Sequence, residues 1–265
     1  MVEAGLVDVR AAARRVVVMT DGGQNSRLVV CALASHFPDI HVIVETPEAK
    51  GEILRRRARA RGWLDASGQL ATMALAKLLR LASRDRVQRI IQSTGLRAEF
   101  PPNVAIIKVP DVNSDACLDS LRDLTPAVIL LVSTRLLKPA TLAAIRCPIV
   151  NLHAGINPTY RGQMGGYWSL ALGDRGNFGA TIHLVDAGTD TGATLAEVRT
   201  VPTDRDNIST YPLLLTAVAL PALAQTIGAI LKGTARTIPS EGVSALRFPP
   251  PIWLWIWYAV TRRVW

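Results

Sequence analysis

Cys147-Pro148-Ile149-Val150-Asn151-Leu152-His153, followed by Pro158-Thr159-Tyr160-Arg161-Gly162, is the stretch on which the fold turns. Its opening apolar run reads as a short strand, and residues two apart on an extended chain point to the same side. Asn151 and His153 therefore project together from the strand's carboxyl end, where open α/β sheets hold their ligands. Downstream, Ala180-Thr181-Ile182-His183-Leu184-Val185 reads as a second strand. It leads into the loop Asp186-Ala187-Gly188-Thr189-Asp190-Thr191-Gly192, whose glycines give it the freedom to close over a site. An amide, an imidazole and a carboxylate thus fall close together, and a carboxylate near an imidazole fixes its tautomer and favours its charged form. That combination suits acyl transfer. Each residue alone also has a plain structural reading: Asn151 capping a strand end, His153 packed, Asp190 in a turn.

Working outward, candidate strands lie near 15–19, 40–44, 104–108, 127–132, 148–152, 180–185 and 193–201, and a long helix is predicted over 207–232. Apolar runs alternating with helical patterns predict an α/β protein: a Rossmann-like, mostly parallel twisted sheet with helices on both faces. The chain has 265 residues, 49% of them hydrophobic, enough to bury a full core. Cys31, Cys117 and Cys147 are scattered without metal-ligand spacing, which predicts reduced thiols and neither a disulfide frame nor a metal site. The first residues lack an apolar signal core, so a cytoplasmic protein is expected.

The sequences NLHAGINPTYRG and GATIHLVDAGTDTG around Asn151, His153 and Asp190 resemble the signature of the formyltransferases that use 10-formyltetrahydrofolate, phosphoribosylglycinamide formyltransferase among them. The resemblance runs in register from about Thr125 to Gly233 and more weakly over Arg14 to Glu45. It implies a formyltransferase-type fold, a folate co-substrate with no metal, and attack of an acceptor's primary amine on the formyl carbon. The resulting oxyanion would be met by the Asn151 amide and a charged His153, with Asp190 supporting the imidazole or taking the amine proton. Donors aimed at developing charge are typically worth roughly 3–4 kcal/mol each. By the same resemblance, the loop Ser133-Thr134-Arg135-Leu136-Leu137 and Asp186 would hold the pterin. His183 stands where relatives also carry a histidine, and reads as a core or supporting residue.

Towards the amino terminus, Arg15-Val16-Val17-Val18-Met19 reads as a first strand and Thr20-Asp21-Gly22-Gly23-Gln24-Asn25-Ser26 as a glycine turn into a helix. Free N–H groups at a helix start attract anions. The resemblance implies acceptor-phosphate contacts at Gly22, Gly23 and Asn25, and further acceptor contacts at Tyr160, Arg161 and Gly162. Relatives have Ser-Gly where this chain has Thr20-Asp21, and an acidic Asp21 is unfavourable beside a phosphate unless it points away. A tight turn with no ligand is the other reading.

Two segments depart from the family. Between Arg55 and Arg97 stand ten arginines against Asp65 and Asp85, in a helical segment that Gly62 and Gly68 are expected to interrupt. This insert, about 50–97, suits a phosphate-rich partner or is simply a solvated face. Apart from Trp63 it lacks the aromatics that stack single-stranded RNA, so nucleic acid is not the expected partner. After a catalytic domain expected over 1–248, the tail 249–265 runs Pro249-Pro250-Pro251, then Ile252 to Val260 rich in Trp, then Arg262 and Arg263. It is too short to span a bilayer, which needs roughly 20 residues. It suits peripheral membrane contact, a homo-oligomer, or packing on the protein's own body. No larger carboxyl-terminal domain is expected to follow, which weakens a likeness to methionyl-tRNA formyltransferase. Three functions stay open: formyl transfer to a small phosphorylated amine, as in purine biosynthesis; formyl transfer to a nucleotide-linked amino sugar; and a non-catalytic binding or membrane-surface protein on the same fold.

Overall fold

The structure is a computed structural model and describes residues 14–265. Residues 1–13, which carry the expected domain start and the argument against export, lie outside the described residues. The strands are β1 (Val16–Thr20), β2 (Ile40–Glu45), β3 (Ala105–Val109), β4 (Val128–Val132), β5 (Ile149–His153), β6 (Arg161–Gly162), β7 (Gly179–Leu184), β8 (Thr194–Arg199) and β9 (Leu246–Arg247). The helices are α1 (Gln24–Ala34), α2 (Lys50–Arg61), α3 (Trp63–Ala82), α4 (Arg84–Ser93), α5 (Asp115–Leu124), α6 (Pro139–Ala144), α7 (Gly165–Ala171), α8 (Tyr211–Leu231) and α9 (Ile252–Arg262).

Seven strands form one sheet in the order β3-β2-β1-β4-β5-β7-β8. The first five in that order run parallel, whereas β7 and β8 are antiparallel. All five residues of β1 and of β4 are buried, because parallel strands covered on both faces must be apolar throughout. The strand order reverses between β1 and β4, and such a switch point opens a crevice at the strands' carboxyl ends. Thr20 stands opposite Val132, and Leu131 opposite Asn151. The glycine turn, the loop after β4 and the Asn151–His153 segment therefore emerge side by side.

Three apolar clusters hold the sheet. One face carries Leu28 and Leu33 of α1, Ile90 of α4, and Leu213 and Leu223 of α8. The other packs Met19, Ile43 and Ile129 against Cys117 and Leu121 of α5. A third, beneath α7, gathers Tyr167, Phe178, Tyr211 and Trp255. Phe178 and Tyr211 meet edge to face at 5.4 Å, a geometry worth about 0.5–1.5 kcal/mol beyond the area it buries.

Two expectations need correction. The long helix begins at Tyr211 and not at 207, because Asn207 turns its side-chain oxygen onto the Ser209 N–H and hydroxyl and so offers the backbone a competing turn. Although α8 is apolar and long enough to cross a membrane, half of it is buried within the protein, where it packs on α1 and β8. Gly62, with φ +85°, does separate α2 from α3, but Gly68 lies within α3 without breaking it. Trp253 lies against Gly68, and a Cβ there would collide with the indole. The tail packs on the protein's own body, one of the readings its sequence left open. Trp255, Ala259 and Val264 are buried, and the Ile208 N–H donates to the Trp265 carbonyl.

Candidate active site

Asp190 is the centre to which the site converges. It sits at φ +51°, a left-handed conformation that Asp tolerates better than most residues. Its Oδ1 accepts from Asn151 Nδ2 at 3.0 Å and lies 3.3 Å from His183 Nε2. Its Oδ2 accepts from the Gly162 N–H at 2.8 Å and lies 3.5 Å from His153 Nδ1. Burial works to raise the Asp190 carboxyl, but the charge of His153, the His183 contact and the Gly162 N–H outweigh it and hold the group down at about 2. Asp190 is therefore ionised at neutral pH.

The two imidazoles differ in their partners. His153 Nε2 donates to the Tyr160 carbonyl at 2.7 Å, so that nitrogen carries a hydrogen. Its other nitrogen faces the ionised Asp190 carboxylate. His183 Nδ1 donates to the Leu184 carbonyl at 2.7 Å, leaving Nε2 shared between Asn151 Nδ2, 3.2 Å away, and Asp190. A neutral His183 accepts from Asn151; a charged one donates to Asp190. The β7 register shifts between Ile182 and His183, the kind of irregularity that re-aims a side chain. Asn151 directs both of its N–H bonds inward, at Asp190 and His183.

The Tyr160-Arg161-Gly162 segment supports this cluster. The Tyr160 phenol is buried and donates to Asp174 at 2.7 Å, while its carbonyl serves His153. Arg161 Nε donates to the Thr189 carbonyl at 2.9 Å and its Nη1 to Ser244 at 2.6 Å, clamping the loop next to Asp190. Gly162 has φ +90° and passes so close to the Arg247 carbonyl that a side chain would clash. The loop holding Asp190 is likewise fixed, since Asp186 Oδ1 accepts from the Gly188 N–H at 3.0 Å and the Thr191 hydroxyl at 2.5 Å. The carboxylate of Asp186 thus braces its own turn, and the loop is held in place where an open, closing loop was expected.

In the glycine turn, Gly22 takes φ +73° and Gly23 caps α1. Asp21 does not point away: its Oδ1 accepts from the Gly23 N–H at 2.8 Å and from the Ser26 hydroxyl at 3.0 Å. The chain's own carboxylate occupies the anion position at this helix start. Asn25 lies in the first turn of α1, half-buried.

The loop after β4 departs from regular structure at Ser133, φ +58°, and continues through Thr134, Arg135, Leu136 and Leu137 to α6, which Pro139 opens. Buried Glu45 holds it, accepting from the Arg135 N–H at 2.7 Å, while the Arg135 side chain reaches the Thr46 carbonyl. Burial pushes the Glu45 carboxyl up against the lowering effect of those donors. Leu136 projects at 67% exposure beside this irregular backbone. Sequence reasoning did not single out Glu45; its only signal was a carboxylate closing a mostly apolar strand. The arginine-rich insert also reaches the site, since Arg57 Nη2 donates to Gln163 Oε1 at 3.0 Å, next to Gly162. Arg80 likewise donates to Gln24 Oε1 at 2.6 Å, at the start of α1.

A mostly parallel sheet that reverses order between β1 and β4, with Asn151, His153 and Asp190 gathered where β5 ends, defines an α/β protein of the formyltransferase type. The family described as Formyl transferase matches residues 13–211, and the chain belongs to that family. Among curated proteins it is similar to methionyl-tRNA formyltransferase of Pelotomaculum thermopropionicum, 28% identical over 147 residues, covering 55% of this chain and 45% of that protein. The corresponding protein of Chlorobium luteolum is 31% identical over 139 residues, 52% of this chain and 44% of the relative. The chain thus spans about half the length of the curated relatives it matches. In fold it is similar to glycinamide ribonucleotide transformylase 1 of Symbiobacterium toebii, with TM-score 0.56 and 18% identity over 89% of this chain and 95% of the other. A sugar N-formyltransferase from Shewanella sp FDAARGOS_354 shares the fold at TM-score 0.53 and 13% identity, over 88% and 76% of the two chains.

Proposed function

We propose that this protein is an N-formyltransferase that moves a formyl group from 10-formyltetrahydrofolate to a primary amine. The observation that carries the reading is the ionised Asp190 bound at once to Asn151 and beside His153. Bound folate would supply an electrophilic formyl carbon; Thr134, Arg135, Leu136 and Leu137 are the residues that would hold it. Asp190 orients His153, whose two ring nitrogens face the Tyr160 carbonyl and the Asp190 carboxylate in this structure, so the imidazole meets developing negative charge by opening one of those contacts. Asn151 supplies a second donor by giving up its longer contact, the one to His183 at 3.2 Å. With its carboxyl held at about 2, Asp190 is too weak a base at neutral pH to keep the amine proton, and its part is electrostatic. Transfer releases one proton from the amine and requires one at the departing nitrogen, so the His153–Asp190 pair returns to its starting state.

The acceptor reading favoured here is a nucleotide-linked amino sugar, ahead of a phosphoribosyl amine. Asp21 fills the anion position of the β1–α1 turn, which disfavours a phosphate there, while Arg57 brings the basic α2 to the edge of the Gly162 loop. The test is formyl transfer with two acceptors, glycinamide ribonucleotide and a nucleotide-linked amino sugar. Turnover with the sugar alone supports the reading. Efficient turnover with the ribonucleotide would reject the argument from Asp21.

A further inference from the structure

The helices α3 and α9 cross where Trp253 lies over Gly68, and on either side of that crossing each turns an apolar stripe outward. On α3, Leu64, Ala71, Ala74, Leu78 and Leu81 follow helical spacing and are exposed. On α9, Trp253, Ile256, Trp257 and Val260 repeat the i, i+3, i+4, i+7 pattern of one face. Trp257 is 62% and Val260 71% exposed, while Trp255 and Ala259 pack into the core from the opposite side. A helix that is apolar on both faces has a second apolar medium to meet. Three exposed tryptophans, Trp63, Trp253 and Trp257, stand on α3 and α9.

Charge decides between the occupants of such a face. The sequence carries a net +9, with Arg59 and Arg61 in the last turn of α2, just ahead of α3, and Arg262 and Arg263 at the end of α9. No acidic residue lies on α9. A second copy would bring like charges face to face, whereas an anionic bilayer complements them. Tryptophans flanked by arginines are also the side chains that settle at the lipid–water boundary. At eleven residues α9 is about 16 Å long, too short to span and suited to lying in the plane of the surface.

We propose that the α3–α9 face docks this protein on an anionic lipid surface. The full chain is to be sedimented with vesicles of phosphatidylcholine alone and of phosphatidylcholine containing one-third phosphatidylglycerol. Binding is expected to the anionic vesicles, with a blue shift of tryptophan emission and weakening in high salt. The double variant Trp257→Ser/Val260→Ser is expected to lower partitioning at least about 10-fold with an unchanged thermal midpoint, because neither side chain is buried. Failure to bind anionic vesicles, equal binding to uncharged ones, or binding indifferent to the double substitution would each overturn the proposal. So would a dimer, formed without lipid, that the same substitutions dissociate.

Discussion

Asp190→Asn removes one charge from the centre of the site while leaving its shape almost unchanged. The left-handed backbone at φ +51° accommodates Asn as readily as Asp, so the loop keeps its path. The native carboxyl is depressed from its usual 3.8 to about 2, and at about 1.4 kcal/mol per pH unit the ionised group contributes roughly 2 kcal/mol of stability at neutral pH. Its side chain is only 11% exposed, so solvent screening reduces this little. The amide adds a second loss. Its nitrogen must face either the Gly162 N–H or the Asn151 N–H, donor against donor, which costs about 1 kcal/mol more. Because the native value is lowered, the carboxylate's contribution is complete above about pH 4 and is lost as the pH falls towards 2, with about half remaining at pH 3. Urea denaturation of both proteins at pH 7 and pH 3 reads this directly. The variant should be less stable by roughly 2–3 kcal/mol at pH 7, and the gap should narrow in acid. Equal stabilities at pH 7, or a gap that does not change with pH, would refute the reasoning.

Replacing His153 by Ala is expected to lower turnover at least about 100-fold with folate affinity largely kept, as measured by steady-state rates beside folate titration. Glu45→Gln weakens the hold on the Arg135 loop and should raise KM for the folate several-fold with little change in kcat; the opposite split would remove Glu45 from a positioning role. Trp255→Ala opens a cavity beneath α7 and should cost about 3–5 kcal/mol in urea melts, whereas the Trp257→Ser/Val260→Ser pair should leave the melt where it was. Deleting 252–265 is accordingly expected to undo folding, not merely to release an anchor.

The sheet was legible because its strands are buried on both faces and so announce themselves as runs such as Val16-Val17-Val18-Met19 and Val128-Ile129-Leu130-Leu131. Asn151 and His153 were legible because strand periodicity puts both on one side, and the glycines around Asp190 marked a loop. What stayed hidden was direction. Sequence cannot say that the Asp186 carboxylate turns back on Gly188, or that Arg161 braces Thr189, because both depend on which hydrogen-bond partner lies nearest in space. Asp21 was read as a difficulty for a phosphate, yet its capture of the Gly23 N–H needed coordinates. Gly68 misled for a related reason: glycine within a helix suggests a break, but here it leaves room for Trp253 from a segment far along the chain.

The most direct test follows an isotopically labelled formyl group from 10-formyltetrahydrofolate into an acceptor amine, with the native protein and the His153→Ala variant side by side. The account predicts a labelled formamide from the native protein and almost none from the variant. Label appearing only as free formate, or on the acceptor equally with both proteins, would contradict it.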